Sequence, residues 1–215
     1  MIKKGTVMII DDQPIVRDGL AYFIGRNPYL EVVATAEDGE AAQRTIAQLP
    51  TLPDVIVVDL KMPKINGVTF IKRVRPKTKI VVYSSCINFD IAAHMPQYGV
   101  HGYLLKRENS QTIIEALVKV INEDYYMALS DEVTEKTVAY LTEKTLFEKL
   151  SSQQLAILTL IAQGKSTPQI AASLLTTEKI VSFELDDIYT ILNVTTPAQA
   201  VAVAIDYHLI SPDDQ

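Results

Sequence analysis

Four consecutive β-branched residues, Val55, Ile56, Val57 and Val58, stand between Asp54 and Asp59, with Pro63 and Gly67 close behind. So short an apolar run, closed off by turn residues, reads as a strand buried on both faces, the kind found in a parallel sheet covered by helices. Ligands of such sheets bind at the carboxyl ends of the strands, which is where Asp59 falls. A strand-end aspartate also commonly caps the next turn, so Asp59 alone does not separate the two roles.

The rest of the first 123 residues repeats the pattern. Thr6 to Ile10 is an apolar run that stops at Asp11 and Asp12, and Pro14 then opens a helical pattern with Ile15, Leu20, Phe23 and Ile24 expected to face inward. A second short run, Glu31 to Ala36, precedes Gly39 and a helix over Glu40–Leu49. After the Asp54–Asp59 strand come a short helix over Gly67–Val74 that ends before Pro76, and a fourth strand from Lys79 to Ser84. A helix around Asp90–Tyr98, a fifth strand from Gly102 to Leu105 ending on Lys106, and a helix from Ser110 to Glu123 complete the alternation. Five strands alternating with helices specify an α/β doubly wound parallel sheet, and right-handed crossovers favour the order 2-1-3-4-5.

That order puts the first and third strands side by side at the switch point, so Asp11, Asp12 and Asp59 converge, with Ser84 and Lys106 at the neighbouring strand ends. Each has a plain structural reading: Asp12 as a helix cap, Ser84 as a turn hydroxyl, Lys106 as an exposed charge. Their coincidence at four strand ends favours a functional site. Three clustered carboxylates repel one another unless a divalent cation joins them, and all-oxygen ligation suits Mg²⁺. A carboxylate beside that ion can attack a phosphoryl group, with Lys106 and the Ser84 hydroxyl bonding the transferring oxygens.

The Asp11-Asp12 pair, Asp59-Leu60-Lys61-Met62-Pro63 with Gly67, Ser84 after an apolar strand, and Gly102-Tyr103-Leu104-Leu105-Lys106 together resemble a bacterial response-regulator receiver domain over residues 6–123. The resemblance implies Asp59 as phosphoacceptor, with Asp12, Asp59 and the Lys61 carbonyl as direct Mg²⁺ ligands and Asp11 acting through water. Ser84 and Tyr103 match the hydroxyl and the aromatic that change position on phosphorylation. Two positions depart from the pattern: Pro96 falls inside the fourth helix, where it should kink the element, and Arg107 replaces a proline often found after the lysine.

Residues 125–149 lack Gly and Pro and keep helical spacing through Val133, Val138, Leu141 and Leu146, as expected of a mostly helical, partly solvated linker. Beyond it the pattern is purely helical. Ser151 or Ser152 caps a helix through Ala162, which Gly164 ends; Thr167-Pro168 starts a second to about Leu175; Thr177 caps a third to Leu192; and Thr196-Pro197 starts a fourth to about His208. The stretches Leu150–Leu158, Gly164–Ala171, Thr177–Val181 and Thr196–Ala200 resemble the LuxR-type DNA-binding domain, an all-α four-helix helix-turn-helix unit. A receiver joined to such a domain is similar to the NarL/FixJ family of response regulators. The resulting domain expectation is a receiver over 1–124, a helical linker over 125–148 and a helix-turn-helix domain over 149–215.

The resemblance implies DNA contacts from the third of these helices and its approach, here Lys165, Thr177, Lys179, Ser182 and Phe183. Val181, Leu185, Ile188 and Leu192 recur at helical spacing and should face the core, which leaves Ser182, Phe183, Asp186 and Asp187 on the outer face. From Leu150 onward two lysines face seven acidic residues, a balance of −5, and no arginine follows Arg107. The whole chain carries −6, which argues against a protein that coats nucleic acid nonspecifically.

Its 215 residues, 48% of them hydrophobic, suffice for two packed cores. No stretch of 20 residues lacks a charge and no basic leader precedes an apolar run, so a cytoplasmic location is expected. The single cysteine, Cys86, has no internal disulfide partner. The leading expectation is a two-component response regulator, phosphorylated by a sensor histidine kinase, dimerising on phosphorylation and binding promoter DNA, with no membrane partner and no turnover beyond slow self-dephosphorylation. The alternative is a phosphorylation-dependent protein-interaction regulator whose helix-turn-helix domain binds DNA weakly. A Mg²⁺-dependent phosphohydrolase would use a similar nucleophile, but so short a domain shows no lid or substrate pocket.

Overall fold

The computed structural model describes residues 4–73 and 78–211, the Leu146 side chain excepted. In chain order these form β1 (Gly5–Ile10), α1 (Pro14–Gly25), β2 (Leu30–Ala36), α2 (Gly39–Gln48), β3 (Val55–Val58), α3 (Gly67–Arg73), β4 (Lys79–Ser84), α4 (Phe89–Ala93), α5 (Met95–Tyr98), β5 (Val100–Leu105), α6 (Ser110–Asn122), β6 (Ala128–Leu129), α7 (Asp131–Phe147), α8 (Ser152–Ala162), α9 (Thr167–Ser173), α10 (Glu178–Leu192) and α11 (Pro197–Asp206). Contacts divide the chain into two compact units, Met1–Val138 and Ala139–Gln215, and the boundary falls within α7.

In the first unit the strands order as β2-β1-β3-β4-β5-β6, all paired in parallel. Alternation along each strand sorts the side chains onto two faces. Met8, Ile10, Ile56, Val58, Ile80 and Val82 pack under α2, α3, α4, α5 and the start of α7, while Val7, Ile9, Val55, Val57, Val81 and Tyr83 pack under α1 and α6. Burying one such aliphatic side chain contributes about 1.5–3 kcal/mol, which is why an apolar run this short suffices to fix β3 at the centre. Asp54 ties the entrance of β3 to β1, its carboxylate accepting from the Thr6 backbone N–H and hydroxyl, each at 2.8 Å.

The structure departs from expectation at two places, the face of α1 and the segment after α6, and sharpens it at two others. On α1, Leu20 and Ile24 are buried, but Ile15 is 88% and Phe23 44% exposed, because the inward stripe runs through Leu20 and Ile24 and the other two fall beside it. The kink expected at Pro96 takes the form of a full break at His94: Pro96 supplies no N–H and sits in the first turn of a separate short helix, α5. The segment that follows α6, expected to be mostly helical, first adds β6 to the sheet: Ser130 N–H donates to Tyr103 O at 3.1 Å, and the Ser130 hydroxyl accepts from Leu105 N at 3.1 Å. On α7, Val133 lies in the first core, whereas Val138 and Leu141, at the same helical spacing, are 59% and 39% exposed. The expected end of the third helix, Val74 before Pro76, lies outside the described residues.

The second unit packs α8–α11 around Ile157, Leu158, Ile170, Val181, Ile188, Leu192, Ala200 and Ala204. Its helices begin on side-chain caps: Ser151 with Gln154 forms a reciprocal box, Thr177 accepts from Ile180 N at 3.3 Å, and Thr196 accepts from Gln199 N at 3.3 Å. Gly164 and Asn193 end α8 and α10 in left-handed conformations. Tyr207 stacks on Tyr140, its hydroxyl donates to Glu143, and Phe147 meets its ring edge-on. No single described helix is long and apolar enough to cross a membrane.

Candidate functional site

Register brings the site together. Ile10 pairs with Val58, and the Asp59 N–H donates to Ile10 O at 2.9 Å, so Asp11 and Asp59 leave adjacent strands side by side. Strand β4 runs two residues beyond the β3 pairing and ends on Ser84, whose carbonyl accepts from Lys106 N at 2.9 Å. The residues expected to converge, Asp11, Asp12, Asp59, Ser84 and Lys106, therefore all leave the carboxyl end of one sheet.

At the centre the Lys106 ammonium lies 2.7 Å from Asp11 Oδ2 and 2.7 Å from Asp59 Oδ2. Both carboxylates are 2% exposed. Burial alone would push the lysine towards neutrality, but its hydrogen bonds to Asp11 and Asp59 outweigh that and raise its pKa, so the ammonium stays charged. Asp11 moves upward, chiefly through burial, with the bonds from Lys106 and Gln13 only partly compensating. The oxygens are unevenly committed. Asp11 accepts from Gln13 N at 2.9 Å on Oδ1 and from Lys106 on Oδ2; Asp59 Oδ1 has only a long 3.3 Å bond from Lys61 N; and Asp12 Oδ1 is buried with no hydrogen-bond partner.

One oxygen from each of Asp11, Asp12 and Asp59 lies within 4.8 Å of the others. An all-oxygen donor set with an orphaned buried oxygen fits a hard divalent cation. Lys61, expected to contribute its carbonyl, is exposed in the loop after β3, with its N–H turned back to Asp59.

Ser84 is fully buried, and its hydroxyl lies 4.0 Å from Cys86 Sγ, a weak hydrogen-bond contact. Tyr103 is fully buried too: its hydroxyl donates to Cys86 O at 2.9 Å and accepts from Asn88 N at 2.7 Å, stapling β5 to the loop before α4. Burial holds its phenol well above the ordinary tyrosine range.

The loop carrying Asp59 is braced by residues whose importance is not readable from the motif. Asp38, 1% exposed, caps α2 by accepting from Ala41 N at 2.8 Å and takes the Lys64 ammonium at 2.7 Å, which keeps its carboxyl below the usual range. Lys64 sits at φ 57°, a left-handed turn that aims its side chain at Asp38. An aspartate three residues before a backbone N–H in a helix start is a cap signal in sequence; nothing local marks Lys64 as its partner.

In the second unit Thr177 is exposed at the start of α10, Lys165 is exposed after α8, and Lys179, Ser182 and Phe183 are exposed on α10, along with Asp186 and Asp187. Val181, Ile188 and Leu192 are buried and Leu185 is half-buried, so the inward and outward faces fall as the spacing requires.

Residues 7–118 match the response regulator receiver domain family, and residues 148–204 match the bacterial regulatory proteins of the luxR family. The transcriptional regulatory protein LiaR of Bacillus subtilis is 32% identical over 212 residues, covering 95% of this chain and 99% of that one. DegU of Brevibacillus brevis, also a transcriptional regulatory protein, is 31% identical over 94% of this chain and 93% of its own. Among solved structures, the response regulator RcsB of Salmonella typhimurium shares the fold with a TM-score of 0.75 at 24% identity, over 92% of this chain and 98% of that one. The carboxylate-lysine cluster at the carboxyl end of the sheet, the four-helix unit of the second half of the chain and these matches agree: the chain belongs to the response-regulator family, with a receiver domain followed by a LuxR-type domain.

Proposed function

We propose that this protein is a cytoplasmic two-component regulator that accepts a phosphoryl group on Asp59 from a sensor histidine kinase, dimerises, and controls transcription through its helix-turn-helix domain. The observation that carries this reading is the Lys106 ammonium held at 2.7 Å from both Asp11 and Asp59, beside an Asp12 oxygen that has no partner. In the transfer an Asp59 oxygen attacks phosphorus, the bond from phosphorus to the kinase imidazole breaks, and an acyl phosphate forms as the imidazole leaves. Lys106, already charged, bonds a phosphoryl oxygen; Ser84 turns its hydroxyl to another; Tyr103 exchanges its bonds to Cys86 and Asn88 as the loop follows.

Asp12, Asp59 and the Lys61 carbonyl would hold Mg²⁺ directly, and Asp11 through water. Supporting that division, both Asp11 oxygens are already bonded to donors, whereas Asp12 Oδ1 is not. When bound, the ion neutralises charge on the transferring oxygens. The chain is an acceptor and a switch rather than a turnover enzyme, losing its phosphoryl group slowly. Domain limits of 1–124 for the receiver, 125–148 for the connecting segment and 149–215 for the output domain go with this reading.

DNA contacts are assigned to Lys165, Thr177, Lys179, Ser182 and Phe183, with Lys179 next to the free N–H groups at the start of α10. A second reading, output through protein rather than DNA, is favoured by one observation: Asp186 and Asp187 are exposed on the helix that would enter the groove. Sedimentation of the full chain with and without a beryllofluoride analogue, followed by titration with promoter duplexes, tests both. A dimer that binds DNA supports the first reading, a dimer that does not supports the second, and a chain that stays monomeric contradicts the switch common to them.

A further inference from the structure

We infer that Arg107 and Glu132 form a latch that holds the first turn of α7 to the end of β5 while Asp59 is unphosphorylated and gives way when Asp59 is phosphorylated. The inference rests on the reading of Asp59 as phosphoacceptor. Arg107 follows Lys106 in the chain, at a position where the sequence departs from the receiver pattern, and its guanidinium pairs with the Glu132 carboxylate at the start of α7. The same carboxylate takes the Lys136 ammonium at 2.7 Å, so Lys136 orders Glu132 within the helix while Arg107 ties it to the strand. Main-chain bonds run alongside. Ser130 N–H donates to Tyr103 O at 3.1 Å, the Ser130 hydroxyl accepts from Leu105 N at 3.1 Å, and Thr134 N–H donates to Ser130 O at 3.1 Å. The helix in which the boundary between the two units falls is thus gripped at its start by alternate residues, Tyr103, Leu105 and Arg107, while Lys106 between them turns to the carboxylates.

Phosphorylation acts on this grip from two sides. Lys106 bonds Asp11 and Asp59 at 2.7 Å each and must give up part of that arrangement to bond a phosphoryl oxygen, which shifts the residue to which Arg107 is joined. Ser84 draws the loop after β4 towards the phosphoryl group, and that loop faces the latch: Cys86, Ile87 and Phe89 line a cleft of about 370 Å³ together with Arg107, Glu132 and Lys136. Tyr103 joins the two, since its hydroxyl bonds Cys86 O and Asn88 N while its carbonyl accepts from Ser130 N. Val133, 1% exposed, packs in one core with Tyr103 and Leu105, and Ile87 packs against that core, so a loop drawn inward takes support from the first turn of α7. The side chains of Arg107 and Glu132 are 61% and 33% exposed, and an ion pair so wetted shifts an equilibrium by no more than about fivefold. That is a bias on the switch and not a barrier to it. A bond made in one state and lost in the other favours the second state, when removed, by the same factor.

The test uses the full chain with beryllofluoride and Mg²⁺ as the probe. The fluorine resonance of the bound analogue gives its affinity, and hydrogen exchange over residues 133–138 reports on the start of α7. Arg107→Gln and Glu132→Gln are each expected to bind the analogue about two- to fivefold more tightly than wild type, and the double variant no more tightly than either. Arg107→Lys keeps the charge and should restore wild-type affinity; Lys136→Gln leaves the Arg107 bond in place and should match wild type too. Exchange over 133–138 should quicken in wild type when the analogue is added and be fast beforehand in Arg107→Gln. Thermal melts confirm that each variant is folded. If wild type binds the analogue and the variants bind it no differently, the latch is wrong while Asp59 as phosphoacceptor stands. Additive effects in the double variant also overturn the latch, because the two residues then act separately. If wild type takes up no analogue in Mg²⁺, the phosphoacceptor reading fails and the latch fails with it.

Discussion

Gly67 approaches the backbone of Asp59 so closely that a β-carbon there would stand 2.0 Å from the Asp59 carbonyl oxygen. The neighbour is main chain at the end of a central strand and cannot swing aside, so Gly67→Ala must displace the residue that carries the chemistry. The expected cost is about 1–3 kcal/mol of stability, with slower phosphorylation of Asp59. Gly19→Ala in α1 is the control: nothing lies within 4 Å of its β-carbon, and the substitution should stabilise by about 0.5–1 kcal/mol. Urea melts of the two variants check this, and equal behaviour would remove the packing explanation.

Asp38 and Lys64 brace the same loop from the other side. Asp38→Asn keeps a capping side chain but gives up the charge, whereas Asp38→Ala gives up the cap as well, at about 0.5–2 kcal/mol. Lys64 is half-exposed, so its ion pair counts for little beyond positioning. The carboxyl is held below its unfolded value, chiefly by the Lys64 bond and then by Ala41 N. Its stabilising contribution is therefore complete above an unfolded pKa of about 3.9 and fades as pH falls through the lower folded value. Denaturation midpoints of wild type and Asp38→Asn should differ at neutral pH and converge in acid.

Lys106 compensates two buried carboxylates, so Lys106→Met should destabilise the metal-free receiver by about 3–5 kcal/mol and be stabilised more by Mg²⁺ than wild type is. Ser84→Ala should change stability little, since its hydroxyl makes only a weak contact to Cys86 Sγ at 4.0 Å. Both variants should still take up the phosphoryl analogue more readily than they dimerise. A variant that dimerises as wild type does would take its residue out of the switch.

Much of this was readable beforehand because it rests on local rules. The four polar strand ends follow from apolar runs that stop on chemistry-bearing residues, and the two faces of α10 follow from helical spacing. What escaped depends on distant partners. Ala128 and Leu129 are too few to show a period, and they become a strand only by pairing with Gly102 and Tyr103. Ile15 and Phe23 match a helical apolar pattern as well as Leu20 and Ile24 do, and which of them faces the sheet is settled by how α1 lies on it. Lys64 is an ordinary loop lysine until its left-handed backbone turns it to Asp38.

Few cations on α10 limit what DNA binding the full chain can achieve. Each phosphate neutralised adds about 0.9 to the slope of log affinity against log salt, so a chain relying on Lys165 and Lys179 should show a shallow dependence. Asp186→Lys with Asp187→Arg should raise nonspecific affinity and steepen the slope by about one to two. A steep slope in wild type would mean that the DNA-facing surface lies elsewhere.

The most direct test of the central claim is intact-mass analysis after incubation with a small-molecule phosphoryl donor. Wild type should gain one phosphoryl group with Mg²⁺ and none in excess chelator, and Asp59→Asn should gain none in either, because the reacting oxygen belongs to Asp59 and the clustered carboxylates of Asp11, Asp12 and Asp59 repel an uncompensated phosphate. Equal phosphorylation of the Asp59→Asn variant, or of wild type without Mg²⁺, would contradict the assignment.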